Sequence, residues 1–154
     1  MRKNLIFVFM SAVFFAGCST PAVDNGPFVF SETEFDFGTI KQSGGLVSHD
    51  FPFVYEGDEP VVVTGTPSSC ACTSGEISDK NFETGDAGVL TVTFDPNLHV
   101  EPEGRFFKTV VVLTEPTLEK IPEVKIWVHI DLDLGPEAYK LQAPHEDDDD
   151  DHER

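Results

Sequence analysis

Positive charge is scarce in this chain of 154 residues, which has ten lysines and arginines against 28 aspartates and glutamates. The formal net charge is −18. Removing Arg2 and Lys3 with an N-terminal signal would leave eight basic residues and a net charge of −20. A surface this acidic repels nucleic acids and anionic lipid headgroups. The composition therefore excludes nucleic acid as a partner.

The familiar catalytic motifs are also missing. The sequence has no G-x-S-x-G nucleophile elbow, no phosphate-binding loop, no G-x-G-x-x-G fingerprint and no H-E-x-x-H pair. Carboxylates are abundant, but none of them stands out within an apolar pattern typical of a cleft. We therefore predict that the protein is not an enzyme.

No apolar run is long enough to span a membrane as a helix. The run from Leu5 to Ala16 is about a dozen residues, whereas a membrane-spanning helix needs ~20. Two basic residues, Arg2 and Lys3, precede it, and small residues follow it. This arrangement is typical of a cleaved secretion signal.

The end of that run, "FAGCS", resembles a bacterial lipobox, with Phe15 in place of the usual leucine. The resemblance implies cleavage before Cys18 and attachment of palmitate-type acyl chains to its sulfur, which would anchor the chain to a membrane. Ser19 is consistent with sorting to an outer membrane, facing the periplasm or the cell surface. The predicted location is the cell envelope; the alternative is an ordinary secreted protein cleaved near Ala16.

Only three cysteines occur, so a lipid on Cys18 leaves Cys70 and Cys72 as the remaining thiols. They stand one residue apart in "TPSSCACTSG". Cysteines this close can bring their Cα atoms within the range that a disulfide requires. A disulfide here would close a very short loop. It should therefore stabilise the fold by less than the ~3 kcal/mol expected for closing a 15-residue loop. A disulfide or an incidental thiol pair is the first interpretation.

Two other interpretations of the pair stay open. Two thiolates can bind a soft metal ion such as copper, with His145 and His152 of the acidic tail as further candidate ligands. A four-ligand zinc site is not indicated, because there is no second cysteine pair. Thiol–disulfide exchange is the third interpretation, although no helix follows Cys72 to lower a thiol pKa. The other histidines are predicted to be ordinary surface or hydrogen-bonded residues: His49, His99 and His129.

Sustained helical periodicity is absent throughout the chain. Instead, short runs rich in Val, Ile, Phe and Thr recur between Gly, Pro, Asp and Asn, which is typical of an all-β sandwich or barrel. In the last run, Val124, Ile126 and Val128 alternate with polar neighbours, as expected of a strand with one buried face. The pattern predicts a sandwich of about seven strands.

Composition divides the chain into four segments. Residues 1–17 form the predicted signal, and residues 18–27, rich in proline and small polar side chains, form a tether. Residues 28–134 form the β-sandwich domain. Residues 135–154 end in "HEDDDDDHER" and are predicted to be a disordered acidic tail, because such a run repels itself and buries no apolar area.

Several motifs in order resemble the bacterial domain of unknown function 1573. They are "FDFGTI", "SSCACT" and "TGDAGVLTVTFDP", followed by two strands, and they lie within residues 28–134. The resemblance implies an immunoglobulin-like sandwich, similar to domains of ciliary and centrosomal proteins, and implies no activity. Ala71 stands where the family usually has glycine, which would add strain if that position needed a positive φ.

These observations lead to three functional hypotheses. The first is a non-catalytic lipoprotein that acts as a protein-binding or scaffold module for an unknown envelope protein. The second is a copper-handling protein that uses Cys70 and Cys72 as ligands. The third is a thiol–disulfide factor that uses the same pair.

Overall fold

The structure of the protein is a computed structural model that describes residues 25–140. The predicted signal, the predicted lipidation site Cys18 and most of the predicted acidic tail lie outside this range. Within it, no helix has the length and apolar character needed to cross a membrane.

Residues 25–140 contain ten strands and two short 3₁₀ turns, joined by loops. The strands are β1 (Phe28–Phe30), β2 (Glu34–Lys41), β3 (Val47–Tyr55), β4 (Val61–Gly65), β5 (Thr73–Ile77), β6 (Asn81–Phe82), β7 (Ala87–Phe94), β8 (Arg105–Val111), β9 (Leu113–Glu115) and β10 (Glu123–Asp131). The 3₁₀ turns are Gln42–Gly44 and Pro136–Ala138.

The strands form two layers. Sheet A has the order β1-β3-β7-β5 and is antiparallel throughout. Sheet B has the order β2-β10-β8, with β2 parallel to β10, and sheet C has the order β6-β4-β9. The segment after β4 links sheets B and C, because Ser69 donates a backbone hydrogen bond to Thr109 and Val111 donates one to Pro67.

The core lies between sheet A on one side and sheets B and C on the other. Alternate side chains of each strand point into this core. On β7, for example, Leu90, Val92 and Phe94 are at most 1% exposed, whereas the residues between them face outward. Aromatic rings from the two layers meet, with centroids 6.0 Å apart for Phe94 and Phe106. The predicted all-β sandwich is confirmed.

The structure differs from the sequence predictions in detail. Three strands, β1, β6 and β9, have only two or three residues, which is too few to show alternation. Residues 25–140 therefore contain ten strands where the sequence predicts about seven. The packed region also extends past the predicted boundaries at 28 and 134. Asn25 is buried and accepts a hydrogen bond from the Glu123 amide, and Tyr139 is 7% exposed.

Pro52 lies on β3, an inner strand of sheet A. The Pro52 carbonyl accepts a hydrogen bond of 2.9 Å from the amide of Ser31, the residue that follows β1. The pairing of β1 with β3 ends at Phe30 and Phe53. Proline is tolerated here because β1 stops where a Pro52 amide hydrogen would be needed.

Candidate functional site

The Cys-Ala-Cys segment lies in the loop that crosses from β4 to β5, at one end of the sandwich. Backbone contacts hold the loop to both layers. The Ser69 amide donates to Thr109 on β8, and the Asp95 amide after β7 donates to the Cys72 carbonyl at 2.8 Å. Within the loop, Thr73 donates to the Cys70 carbonyl at 3.0 Å. The two cysteines therefore have a fixed position between the layers.

A disulfide joins Cys70 and Cys72, whose Cα atoms are 5.2 Å apart. Cys72 is 3% exposed, whereas Cys70 is half-buried. No residue other than glycine has a positive φ between residues 25 and 140. Ala71 is therefore free of the left-handed strain considered from the sequence.

His99 contacts this disulfide, although the sequence predicted an ordinary surface residue. It lies in the loop between β7 and β8, and its Nε2 is 3.1 Å from the Cys70 Sγ. Its Nδ1 is 2.9 Å from the Val100 carbonyl oxygen. Because a carbonyl can only accept, Nδ1 carries a proton and donates it to the Val100 carbonyl, which leaves Nε2 facing the sulfur.

A buried ion pair adjoins the disulfide. The Glu101 side chain is 2% exposed, and its Oε2 is 2.6 Å from the Nζ of Lys108 on β8, whose side chain is 13% exposed. Its other oxygen, Oε1, lies 3.6 Å from His99 Nε2 and 3.8 Å from Cys70 Sγ. Donor atoms of four residues thus lie within 4.8 Å of one another: Cys70, Cys72, His99 and Glu101.

The other candidate ligands do not join this cluster in the described chain. His49 packs on Phe35 and lies 2.8 Å from Glu32, and His129 lies near Thr39. The candidates from the tail lie outside residues 25–140: His145 and His152. Sequence reasoning missed His99 and Glu101. The sequence offered no signal for them, because only the pairing of Thr73 with Phe94 in the structure brings the β4–β5 and β7–β8 loops to the same end of sheet A.

A second candidate site is a groove of about 680 Å³ on the outer face of sheet A. One row of its lining crosses three strands and consists of Val29, Val54 and Ala87. The adjacent row includes Pro52 and its cross-strand neighbour Val89. Val29 is 46% exposed and Val54 is 39% exposed. No charged residue belongs to its lining: Val29, Phe30, Ser31, Pro52, Phe53, Val54, Ser78, Ala87, Gly88 and Val89.

An open strand edge adjoins this groove. Between Val47 and Phe51, β3 has β7 on one side, and no other strand of the described chain pairs with its opposite side. The Pro52 carbonyl points to that opposite side. Because alternate residues of a strand direct their backbone groups the same way, Ser48 and Asp50 direct theirs there too.

The outer face of sheet B also has aromatic residues, but charged groups cover them. The Arg105 guanidinium lies 3.9 Å from the centre of the Trp127 ring, which packs on Phe107. The Trp127 indole donates to Glu34 Oε2 at 2.9 Å, and this bond, followed by that from Lys125, holds the pKa of Glu34 below its ordinary value.

The model of a family described as "Protein of unknown function (DUF1573)" matches residues 28–128. The chain belongs to this family. No curated protein matches this chain. The predicted resemblance is therefore confirmed over most of the sandwich, and the family description assigns no activity.

Solved structures similar to the DUF1573 chain share its fold. One is a protein of unknown function from Porphyromonas gingivalis W83, with 10% identity, a TM-score of 0.51 and coverage of 71% of this chain and 50% of that one. The chaperone YadV has 12% identity and a TM-score of 0.51, with coverage of 69% and 53%. The chain spans about half the length of these two proteins.

An ASH/PapD-like domain of human CEP192 is similar along almost its whole length. It has 13% identity and a TM-score of 0.50, and the alignment covers 80% of this chain and 98% of that domain. At these identities the likeness shows the fold alone. The sandwich thus has an immunoglobulin-like fold.

Proposed function

We propose that the protein is a non-catalytic protein-binding module of the cell envelope, held at a membrane by lipid on Cys18. In this proposal an extended segment of another envelope protein docks along the open edge of β3, with side chains in the sheet A groove. The observation that carries the proposal is this uncharged apolar groove beside an unpaired strand edge.

The groove has no covering element in the described chain. Outward positions of a sheet that faces water are normally polar. Here Val29, Val54 and Ala87 occupy three neighbouring outward positions on adjacent strands. In a chain with a net charge of −18, a contiguous uncharged patch is a marked departure from the composition. Exposed apolar patches of this kind mark interaction surfaces.

The adjacent edge selects the class of partner. The backbone groups of Ser48 and Asp50 point away from β7, and a strand added beside β3 would satisfy both of them. Lipids and small apolar ligands would fill the groove without offering an alternating series of amides and carbonyls. The occupant that fits both features is an extended polypeptide with apolar side chains at alternate positions. The acidic surface favours neutral or basic flanking residues.

Fluorescence anisotropy with synthetic peptides tests the proposal. Labelled peptides of about ten residues, with apolar side chains at alternate positions, are compared with proline counterparts. In each counterpart, proline replaces two residues whose amides would donate hydrogen bonds to β3. We expect the alternating peptides to bind at least about tenfold more tightly than the proline counterparts. Val54→Asp should weaken binding by a similar factor. Hydrogen exchange should show new protection at Ser48 and Asp50 in the complex.

The matched control is Phe107→Ser, which alters an exposed aromatic residue on the opposite outer face. It should bind the peptides like the unmodified chain. Equal affinity for the alternating and proline peptides would contradict strand addition. Unchanged binding by Val54→Asp would contradict the groove as the docking site.

A further inference from the structure

We propose that Cys70, Cys72, His99 and Glu101 form a zinc site that the disulfide closes and reduction opens. This inference is independent of the groove, because the two sites lie at opposite ends of β7. It extends the sequence-based metal hypothesis to two residues that the sequence did not indicate, and it replaces copper with zinc.

Three of the four donor atoms are already spaced like one face of a zinc tetrahedron. Zinc binds thiolate sulfur at about 2.3 Å, imidazole nitrogen at about 2.0–2.1 Å and carboxylate oxygen at about 2.0–2.2 Å, so donors around one ion lie roughly 3.4–3.8 Å apart. The structure gives 3.1 Å from Cys70 Sγ to His99 Nε2, 3.6 Å from Nε2 to Glu101 Oε1 and 3.8 Å from Oε1 to that sulfur. Three edges of a tetrahedron are therefore near their required lengths.

The edge between the two sulfur atoms is shorter than a zinc site requires. A covalent bond joins the Cys70 and Cys72 sulfur atoms, whereas two thiolates on one zinc ion are not bonded to each other and lie about 3.8 Å apart. An external dithiol supplies the two electrons that break this bond and is itself oxidised to a disulfide, leaving two thiols on the protein. Zinc then replaces the two thiol protons, which pass to solvent. The site is available only in the reduced protein.

The charge around the cluster suits a bound dication. Two thiolates and one carboxylate around Zn²⁺ have a net charge of −1, and the Lys108 ammonium 2.6 Å from Glu101 balances it. With the disulfide formed, the same lysine neutralises Glu101 alone. Both redox states therefore leave no net charge in this largely buried region.

The identity of the donors favours zinc over copper. Cu(I) prefers soft sulfur ligands, and a carboxylate adds little to its binding, whereas zinc accepts sulfur, nitrogen and oxygen together. Glu101 is fixed beside the sulfur with its side chain 2% exposed. The Nδ1–H of His99 donates a hydrogen bond to the Val100 carbonyl. Histidines that bind a metal through Nε2 commonly have such a hydrogen bond. Four protein ligands leave no open coordination position, which indicates a structural or regulatory ion.

Zinc titration of the oxidised and dithiol-reduced full chain tests the proposal, with the dithiol removed anaerobically and a chromophoric chelator as competitor. Every sample has His145→Ala and His152→Ala, so that ligands from the tail do not contribute. We expect about one zinc ion per reduced chain and at least about 100-fold weaker binding to the oxidised chain. Cobalt in place of zinc should give thiolate charge-transfer and tetrahedral absorption bands in the reduced chain alone.

His99→Ala should lower zinc affinity by about tenfold or more and change the cobalt spectrum, and Glu101→Gln should weaken binding as well. His129→Ala, an exposed histidine outside the cluster, is the matched control and should change neither. Equal zinc binding by the oxidised and reduced chains would overturn the proposal. So would unchanged affinity in His99→Ala, a variant whose half-exposed side chain can be removed without opening the core.

Discussion

The outer faces of sheets A and B both expose apolar side chains, but only one of them covers these side chains with its own charged groups. On sheet B, Arg105 and Lys125 lie over the Trp127 ring, and Glu34 accepts its indole proton. On sheet A, no charged side chain within residues 25–140 lines the groove or covers Val29 and Val54. Long charged side chains commonly shield apolar surface in this way. Exposure alone therefore does not identify an interface; an apolar surface without polar cover is the better indicator.

The largest expected effect lies beneath the groove. Gly88 has no side chain, and a Cβ there would lie 2.4 Å from the Phe53 ring and 2.8 Å from the Phe82 ring. Gly88→Ala must displace buried rings, so we expect a loss of about 1–3 kcal/mol in the free energy of unfolding, measured by urea denaturation. Gly44→Ala is the control, because nothing lies within 4 Å of its Cβ position. Equal stability of the two variants would show that the floor of the groove is loosely packed.

A smaller effect is expected on the covered face. Arg105 contacts the Trp127 ring and pairs with Asp36 at 2.9 Å, with both charged side chains about half exposed. Arg105→Ala should lower the free energy of unfolding by about 0.5–1 kcal/mol and increase the exposure of the indole, seen as a red shift in tryptophan fluorescence. Lys80→Ala removes an exposed cation elsewhere and should change neither quantity. A spectrum of Arg105→Ala identical to that of the control would argue against the cover.

The sequence predicted the strands better than it predicted either site. Buried and exposed residues alternate along strands such as β7 and β10 because one face of each strand packs on the core. This pattern can be read from the sequence without knowing which strands pair with each other. The groove depends on register: Val29, Val54 and Ala87 are neighbours only because β1, β3 and β7 pair as they do. Register is set by long-range pairing, which a single apolar residue in each strand does not reveal.

The cysteine cluster was beyond prediction for a related reason. Cys70 and Cys72 stood out because cysteine is rare, but His99 is 29 residues away in a loop without periodicity. Glu101 is one of 28 acidic residues. These two residues differ from the other histidines and acidic residues only because their loop meets the cysteine loop at the same end of the sandwich. The disulfide predicted as one alternative is present in the structure, and its surroundings provide the chemical context that the spacing alone lacked.

The smallest predicted effect is a difference in pH dependence between the two faces. The Trp127 indole and then Lys125 hold the pKa of Glu34 below its ordinary value, and the Gly38 amide and then Arg105 do the same for Asp36. Carboxyl groups with a pKa lowered by folding stabilise the protein above their unfolded values of 4.5 and 3.8, and this contribution is lost as the pH falls through the lower folded values. The residues lining the groove include no acidic, basic or histidine side chain.

Comparing the unmodified chain with Glu34→Gln/Asp36→Asn isolates these two groups from the other carboxylates. The difference in unfolding free energy should be present near about pH 7 and shrink as the pH falls below about 4.5, measured by urea denaturation at each pH. Peptide binding to the groove should be the same for both proteins at any pH at which they are folded. A stability difference that does not change with pH would mean that the charges on sheet B do not stabilise its aromatic residues. The distinction between a covered and an uncovered face would then rest on shape alone.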